Sequence, residues 1–441
     1  MMLFGTQRLN DKGHLEVGGC DTVELAERFG TPAYILDEAL LRKNCQEYLR
    51  SFRSRYAATD IAYAGKAFLT MAMCRIIEQE GLYLDCASAG EIYTALKAGF
   101  PASRIFHHGN CKTIDELRMS IENQIHRIVV DNLTELEILN TVAIEQKRKA
   151  EILFRVAPGV DPHTHRLIRT GQQDTKFGFN IKSGQAINAV RKALDMPGIN
   201  LKGIHCHVGS QLLDTDAHIG AIDVMVGFGR EILDETGYLI EEINTGGGLG
   251  IPYTNDQAPP GIDRFADDIV GALSKALDTH GFPKPRLIQE PGRSIVGTAG
   301  ITLYRVGAVK QVPILEPPGY RTYVIVDGGL SDNPRPLLYD AAYTALIANR
   351  ADVPPTQTVT IAGKHCETDT LIQKAKLPDV RPGDVLAVLC TGAYNYSMAS
   401  NYNRFARPPV ILVMDGTADV IAQRETLDDL VSHDVIPERL K

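Results

Sequence analysis

Ile61-Ala62-Tyr63-Ala64-Gly65-Lys66 is an apolar, strand-like run that stops abruptly on a single amine, and helix-forming sequence follows over 68–80. An amine held beside apolar neighbours can lose its proton and attack a carbonyl, so Lys66 is a candidate for covalent chemistry. A lysine at a strand end also serves as plain solvent-facing charge. What distinguishes the two readings is the company Lys66 keeps elsewhere in the chain.

Outward from that run the same step repeats. Apolar runs at 61–64, 82–86, 105–108, 128–131, 152–157, 203–208, 241–244 and 287–289 behave as strands. Amphipathic segments between them, including 38–51, 89–98, 133–146, 183–194, 219–235 and 262–279, behave as helices. Eight strand–helix steps within roughly 250 residues predict a closed (β/α)8 barrel. The alternative, an open doubly wound sheet, gives no reason to stop at eight.

Polar and glycine residues gather just past these strands: Gly65-Lys66, Ser88, Gly109-Asn110, Pro158-Gly159, Gly209-Ser210, Gly246-Gly247-Gly248 and Glu290-Pro291-Gly292-Arg293. In an α/β barrel such positions share one rim, the rim on which active sites form. Strand-to-helix turns need glycine for their own sake, but that leaves the carboxylate and arginine at 290 and 293 unexplained. The 159–180 stretch, with His163, His165, Arg166 and Arg169, reads as a long polar insertion on this rim, functional or mobile.

After about Thr298 the rhythm changes. Strand-like runs at 304–309, 323–327, 357–361, 384–388 and 409–413 follow one another without long helices, predicting a second, mostly antiparallel β domain. The expected division is 1–34 as an N-terminal segment joining the β domain, with 15–17 as its joining strand, 35–290 as the barrel, and 291–441 as the β domain.

Of 441 residues 44% are hydrophobic, enough for two substantial cores. A formal charge of -8 argues against a nucleic-acid surface. Eight scattered cysteines with no C-x-x-C pair read as reduced thiols in a cytoplasmic protein. The first residues do not resemble a signal peptide, and no run approaches the ~20 apolar residues of a membrane span.

Several features carry chemistry. Thr245-Gly246-Gly247-Gly248-Leu249-Gly250 follows a strand, and its backbone N–H groups can wrap a phosphate, although it has neither P-loop nor Rossmann spacing. His205 and His207 fall on one side of a strand, a spacing that suits zinc but lacks a third placed ligand, so no metal is expected. An imidazole there can instead stack on a planar cofactor, with Ser210 donating to an anion. Glu290 is costly to bury unpaired and calls for a cation, either Arg293 or a protonated heterocycle. Cys366-Glu367 follows Gly363-Lys364-His365, and a thiol flanked by basic groups suits proton transfer. Arg335, Tyr339 and Tyr394 form a second polar set. A nucleophilic lysine, a phosphate nest, a flat ring, a buried carboxylate and arginines for a carboxylated substrate are the parts of a pyridoxal 5'-phosphate enzyme. A sugar-phosphate lyase would share the lysine and phosphate site but needs neither Glu290 nor a second domain.

Tyr63-Ala64-Gly65-Lys66, His205-Cys206-His207-Val208-Gly209-Ser210-Gln211, Gly246-Gly247-Gly248, Glu290-Pro291-Gly292-Arg293, Cys366-Glu367 and Gly392-Ala393-Tyr394 together resemble the diaminopimelate decarboxylases. These belong to the alanine-racemase-like, fold-type III pyridoxal phosphate enzymes. The likeness runs in order through nearly the whole chain. It implies a barrel followed by a β domain, and a homodimer with active sites shared across the interface. It also implies covalent attachment of the cofactor at Lys66, ring stacking by His207, and Glu290 on the pyridine nitrogen. Phosphate contacts fall to Ser210, Gly246–Gly248, Gly292, Arg293 and Tyr394, and substrate contacts to Arg293, Arg335, Tyr339, Glu367 and Tyr394. Cys366 is the implied proton donor, reaching in with Glu367 from the partner subunit. The implied reaction is decarboxylation of meso-diaminopimelate to L-lysine and CO2, the last step of lysine biosynthesis.

Two departures stand out: Cys111 where the family more often has asparagine, and Glu367-Thr368-Asp369 where serine and glycine commonly precede the aspartate. Ornithine and arginine decarboxylases resemble the same scaffold, but their substrates end in a cation and call for an acid rather than an arginine. Alanine racemases place arginine against the ring nitrogen. Non-enzymatic pyridoxal-phosphate homeostasis proteins resemble the barrel alone.

Overall fold

In the computed structural model, which describes residues 2–160, 175–315 and 318–441, Thr59–Ala64 (β1) is buried at every position. Only a strand covered on both faces reads that way. Seven more follow: Tyr83–Cys86 (β2), Ile105–His107 (β3), Arg127–Val130 (β4), Ala150–Ala157 (β5), Ile199–His205 (β6), Glu242–Asn244 (β7) and Arg286–Gln289 (β8). Each pairs in parallel with the next. β8 then sets Leu287, Ile288 and Gln289 opposite Thr59, Asp60 and Ile61 of β1, which closes the barrel and leaves no open edge between these strands. This barrel lies within one unit, residues 42–252 and 257–295.

The helices between strands begin where the sequence supplies caps. Ser88, read above as a rim residue, accepts from the Glu91 backbone N–H and caps Ala89–Lys97. Ile114–Glu122, passed over in the sequence, starts on a capping box formed by Thr113 and Glu116. Most of the 159–180 insertion, with His163, His165, Arg166 and Arg169, lies outside the described residues.

Ala62, Phe106, Val129, Leu153 and Ile288 form an apolar cluster of the barrel core. Toward the strand starts lies a buried ion pair, with Arg127 Nε 2.9 Å and Nη2 2.6 Å from the two Glu242 oxygens. The pair's side chains are 7% and 5% exposed, and Arg127 keeps a second, partly exposed partner in Glu151, so losing Glu242 leaves the guanidinium half-satisfied. Glu242→Ala should therefore cost about 1–3 kcal/mol of stability, read as a lowered urea midpoint. An unchanged midpoint would show that the pair is dispensable.

The other unit comprises residues 1–41, 253–256 and 296–441. Its main sheet runs Thr370–Leu377, Gln357–Ala362, Pro318–Val326, Gly300–Leu315, Ala33–Asp37, Val410–Met414 and Thr417–Ala422, with Val385–Val388 paired to Gly300–Leu315 and to Ala345–Ile347. Most pairings are antiparallel, but Pro318–Val326 runs parallel to Gln357–Ala362, and Ala33–Asp37 parallel to Val410–Met414. One expectation is corrected. Leu15–Val17 pairs in a separate three-stranded sheet, and the strand that joins the main sheet is Ala33–Asp37, across the expected boundary at 34. Its five residues are all buried, which a strand flanked on both edges and covered on both faces requires. Among the described residues no helix is long and apolar enough to cross a membrane.

Candidate active site

Lys66 sits in a single 3-10 turn, Gly65–Ala67, directly past β1. Its side chain is exposed, although Gly65, Ala67 and Phe68 around it are buried. The turn is held from β8: the Ala64 N–H donates to Pro291 O at 2.9 Å, and a Cβ on Gly292 would sit 3.1 Å from the Cβ atoms of Ala64 and Ala67. Glycine at 292 thus lets the β8 loop press against both flanks of Lys66.

The glycine triad after β7 is equally constrained. A Cβ at Gly246 would lie 2.4 Å from Cys206 O, at Gly247 2.0 Å from Glu290 O, and at Gly248 2.6 Å from Gly209 O. Any side chain there would push apart the loops after β6, β7 and β8. Gly246 and Gly248 also adopt φ of +69° and +131°, which favour glycine. Beside the triad, buried Arg293 donates from Nη2 to Ser210 Oγ at 2.9 Å. A glycine turn, a hydroxyl and a guanidinium make an oxyanion-binding set.

Glu290 is buried just past β8, and its carboxylate is held from three strands. Asn244 Nδ2 donates to Oε1 at 2.6 Å and His205 Nε2 lies 3.1 Å from Oε2. His108 Nε2 is 2.9 Å from Oε1, and 3.6 Å from Asp85 Oδ1 on its other side. Burial pushes the Glu290 carboxyl up, but the His108 and His205 rings more than offset this and hold it well below the usual carboxylate range. Burial pulls His108 down, yet Asp85 and Glu290 leave it raised, while burial takes His205 down to about 4. The result is a carboxyl held low between one ring whose pKa is raised and one whose pKa is lowered. His207, past the end of β6, accepts from the Gly247 N–H at 3.4 Å. Burial, then the charges of Lys66 and Arg155, keep its ring well below its ordinary pKa and therefore neutral.

His205 and His207 do not converge as the two-residue spacing suggested, since one meets Glu290 and the other the glycine turn. The ligand atoms of His108, His205 and Glu290 instead lie within 4.8 Å of one another, a grouping with metal-like spacing that the sequence reading passed over. Asp85, His108 and Asn244 were missed for the same reason: each is a polar residue ending an apolar strand, and that placement was the available signal.

Within the other unit, Arg335 opens the short helix Arg335–Tyr339 and is buried. Its Nε donates to Tyr343 OH at 2.9 Å, and its guanidinium lies 5.9, 5.4 and 5.5 Å from the rings of Tyr253, Tyr339 and Tyr394. Arg335, Tyr339 and Tyr394 therefore belong to one aromatic cage, to which Tyr253 and Tyr343 are additions the sequence did not suggest. A desolvated guanidinium in such a cage can receive a carboxylate.

Cys366 and Glu367 are exposed on the turn between Gln357–Ala362 and Thr370–Leu377, where Tyr402 OH donates to Glu367 Oε1. The flanking basic groups do not face the thiol. His365 turns inward to Asp369, with Nδ1 2.5 Å from Oδ2, and Lys364 Nζ lies 4.3 Å from the Phe405 ring centre. Asp369 also accepts from the Leu330 N–H at 2.8 Å, which pins the base of the turn.

A lysine, an ionised buried carboxylate and an oxyanion-binding glycine turn at the strand ends of one barrel fit a cofactor with an aldehyde, a ring nitrogen and a phosphate. The comparisons point the same way. Residues 41–297 match the family model described as "Pyridoxal-dependent decarboxylase, pyridoxal binding domain". The diaminopimelate decarboxylase of Bacillus subtilis is 46% identical, covering 99% of this chain and 98% of the relative, and that of Bacillus methanolicus is 45% identical over 96% and 98%. The crystal structure of diaminopimelate decarboxylase from M. jannaschii in complex with L-lysine superposes with a TM-score of 0.92, at 37% identity over 100% of both chains.

Proposed function

The chain belongs to the diaminopimelate decarboxylases, within the pyridoxal-dependent decarboxylase family, and from that premise we propose that it converts meso-diaminopimelate to L-lysine and CO2. The observation that carries the chemistry is Glu290, buried and held by Asn244, His205 and His108 at the strand ends of the same barrel as Lys66. Ornithine or arginine decarboxylation and non-enzymatic cofactor binding are not favoured, because the relatives at 45–46% identity over nearly their whole length are diaminopimelate decarboxylases.

The cofactor that these residues fit is pyridoxal phosphate, which when bound supplies an aldehyde and a ring that accepts the electron pair left by departing CO2. Lys66 Nζ would be the amine for the aldehyde carbon. Glu290 would keep the ring nitrogen protonated by offering it a negative charge. His207 would pack on the ring. Ser210, Gly246 to Gly248, Gly292, Arg293 and Tyr394 would hold the phosphate. Arg293, Arg335, Tyr339 and Tyr394 would bind and orient the substrate. Cys366 would supply the proton for the α-carbon, and Glu367 would hold the distal ammonium. Both act across a homodimer interface in the cytoplasm. The exposure of Cys366 and Glu367 and the Asp369 anchor beneath them support this assignment.

Release of CO2 from meso-diaminopimelate, ornithine, arginine and lysine, each supplied separately, tests the assignment. Diaminopimelate should be turned over preferentially, and a preference for ornithine would overturn the substrate. Cys366→Ala should lower kcat about 10²–10⁴-fold while cofactor affinity changes little, as for loss of a positioned proton donor. Unchanged turnover in this variant would reject the proton-donor role.

A further inference from the structure

We infer that His108 is a positioning residue for this reaction: standing between the Asp85 and Glu290 carboxylates, it keeps Glu290 charged and ready for the cofactor's ring nitrogen. The inference rests on the reading of Glu290 as the ring-nitrogen partner.

The geometry separates two jobs around Glu290. Asn244 and His205 hold the carboxylate by hydrogen bonds of 2.6 and 3.1 Å, and these fix its direction. His108 Nε2 stands 2.9 Å from Oε1, and of the two rings it lowers the carboxyl more, through its charge first and hydrogen bonding second. His108 itself is fixed: its backbone N–H donates to Cys86 O at 2.7 Å, and its ring meets His205 edge-on at 4.8 Å. Burial on its own would protonate Glu290, and the imidazolium opposes that. Burial raises the Asp85 carboxyl, and from 3.6 Å on the far side Asp85 favours the protonated form of His108, so the ring stands between two acidic groups with the ring nitrogen's place beyond Glu290. The other ionisable groups facing this set are Lys66 after β1, Glu91 after β2, Asp131 after β4, Arg155 on β5, and His205 and His207 at the end of β6.

Without His108 the Glu290 carboxyl titrates higher, and below that pKa it no longer attracts a protonated ring. Affinity lost at neutral pH must then return as the pH rises. Cofactor-free wild type, His108→Asn and His108→Lys would be titrated with pyridoxal phosphate between pH 6 and 9, following the absorbance of the bound cofactor. The asparagine variant should bind about 10- to 100-fold more weakly at pH 7 and recover toward pH 9, and the lysine variant should stay closer to wild type. An unchanged profile in the asparagine variant, or a loss equal at every pH, would overturn the inference. Should the variants not fold, 15N shifts of the His108 ring in labelled wild type decide it: a neutral ring at pH 7 overturns the role, a charged one supports it. Wild type that takes up no pyridoxal phosphate sinks the functional reading itself, and with it this inference.

Discussion

Lys66→Ala is expected to lose decarboxylation by about four orders of magnitude or more, the scale seen when a covalent centre is removed. The side chain is exposed, so its removal should move the melting temperature little. The turn that carries it is held by backbone, through Ala64 to Pro291 and the close packing of Gly292, and remains in place. The loss would therefore be chemical. Borohydride reduction of the holoenzyme should leave the cofactor's mass on the peptide containing Lys66, and that mass should be missing from the alanine variant. Turnover within tenfold of wild type would remove Lys66 from the mechanism.

Glu290→Gln is expected to cost about 10²–10³-fold in kcat, the scale of removing one pre-aimed electrostatic partner. An amide can still bond the ring nitrogen but offers it no negative charge. The pH dependence of stability supplies a second reading. Glu290 titrates lower in the folded protein than in the unfolded chain, so its contribution is present above the ordinary carboxylate range and fades as pH falls. His108 titrates higher when folded, so its contribution is complete below the ordinary histidine value and fades as pH rises. Together they stabilise most between roughly pH 4.3 and 6.5. Melting curves across that window should show wild type losing its advantage over the glutamine variant on both sides. Equal kcat for the two proteins would show that ring-nitrogen charge does not limit the reaction.

Much of this molecule was legible along the chain. Apolar runs of five or so residues alternating with amphipathic ones encode eight strands and their helices, because side-chain period is a local property. Capping required more than period, and Ile114–Glu122 escaped notice because Thr113 and Glu116 announce it more clearly than its short apolar face does. In the β unit the short, exposed strand Thr417–Ala422 gave little apolar signal. Ala33–Asp37 is uniformly buried, and nothing local says which sheet it will enter.

The candidate site divides the same way. Lys66, the glycine triad and the Glu290 to Arg293 run could be picked out from sequence because each stands at a strand end, where a polar or small residue breaks an apolar pattern. The surroundings of Cys366 were misjudged. Lys364 and His365 adjoin it in sequence, but one side chain lies over Phe405 and the other turns in to Asp369. Neighbours along a chain are not neighbours in charge.

The sequence by itself determined the barrel, the second β unit and the amine at the end of β1, since periodicity and strand-end composition are written within a few residues. Only the tertiary structure decided that Asp85, His108, His205, Asn244 and Glu290 form one buried polar set. They lie in or just past five strands spread over some 200 residues, and closure of the parallel sheet brings them within reach of one another. In that closed, dry space burial makes an ionised carboxylate costly without a cation nearby, which is why the state of Glu290 belongs to the fold and not to its own segment.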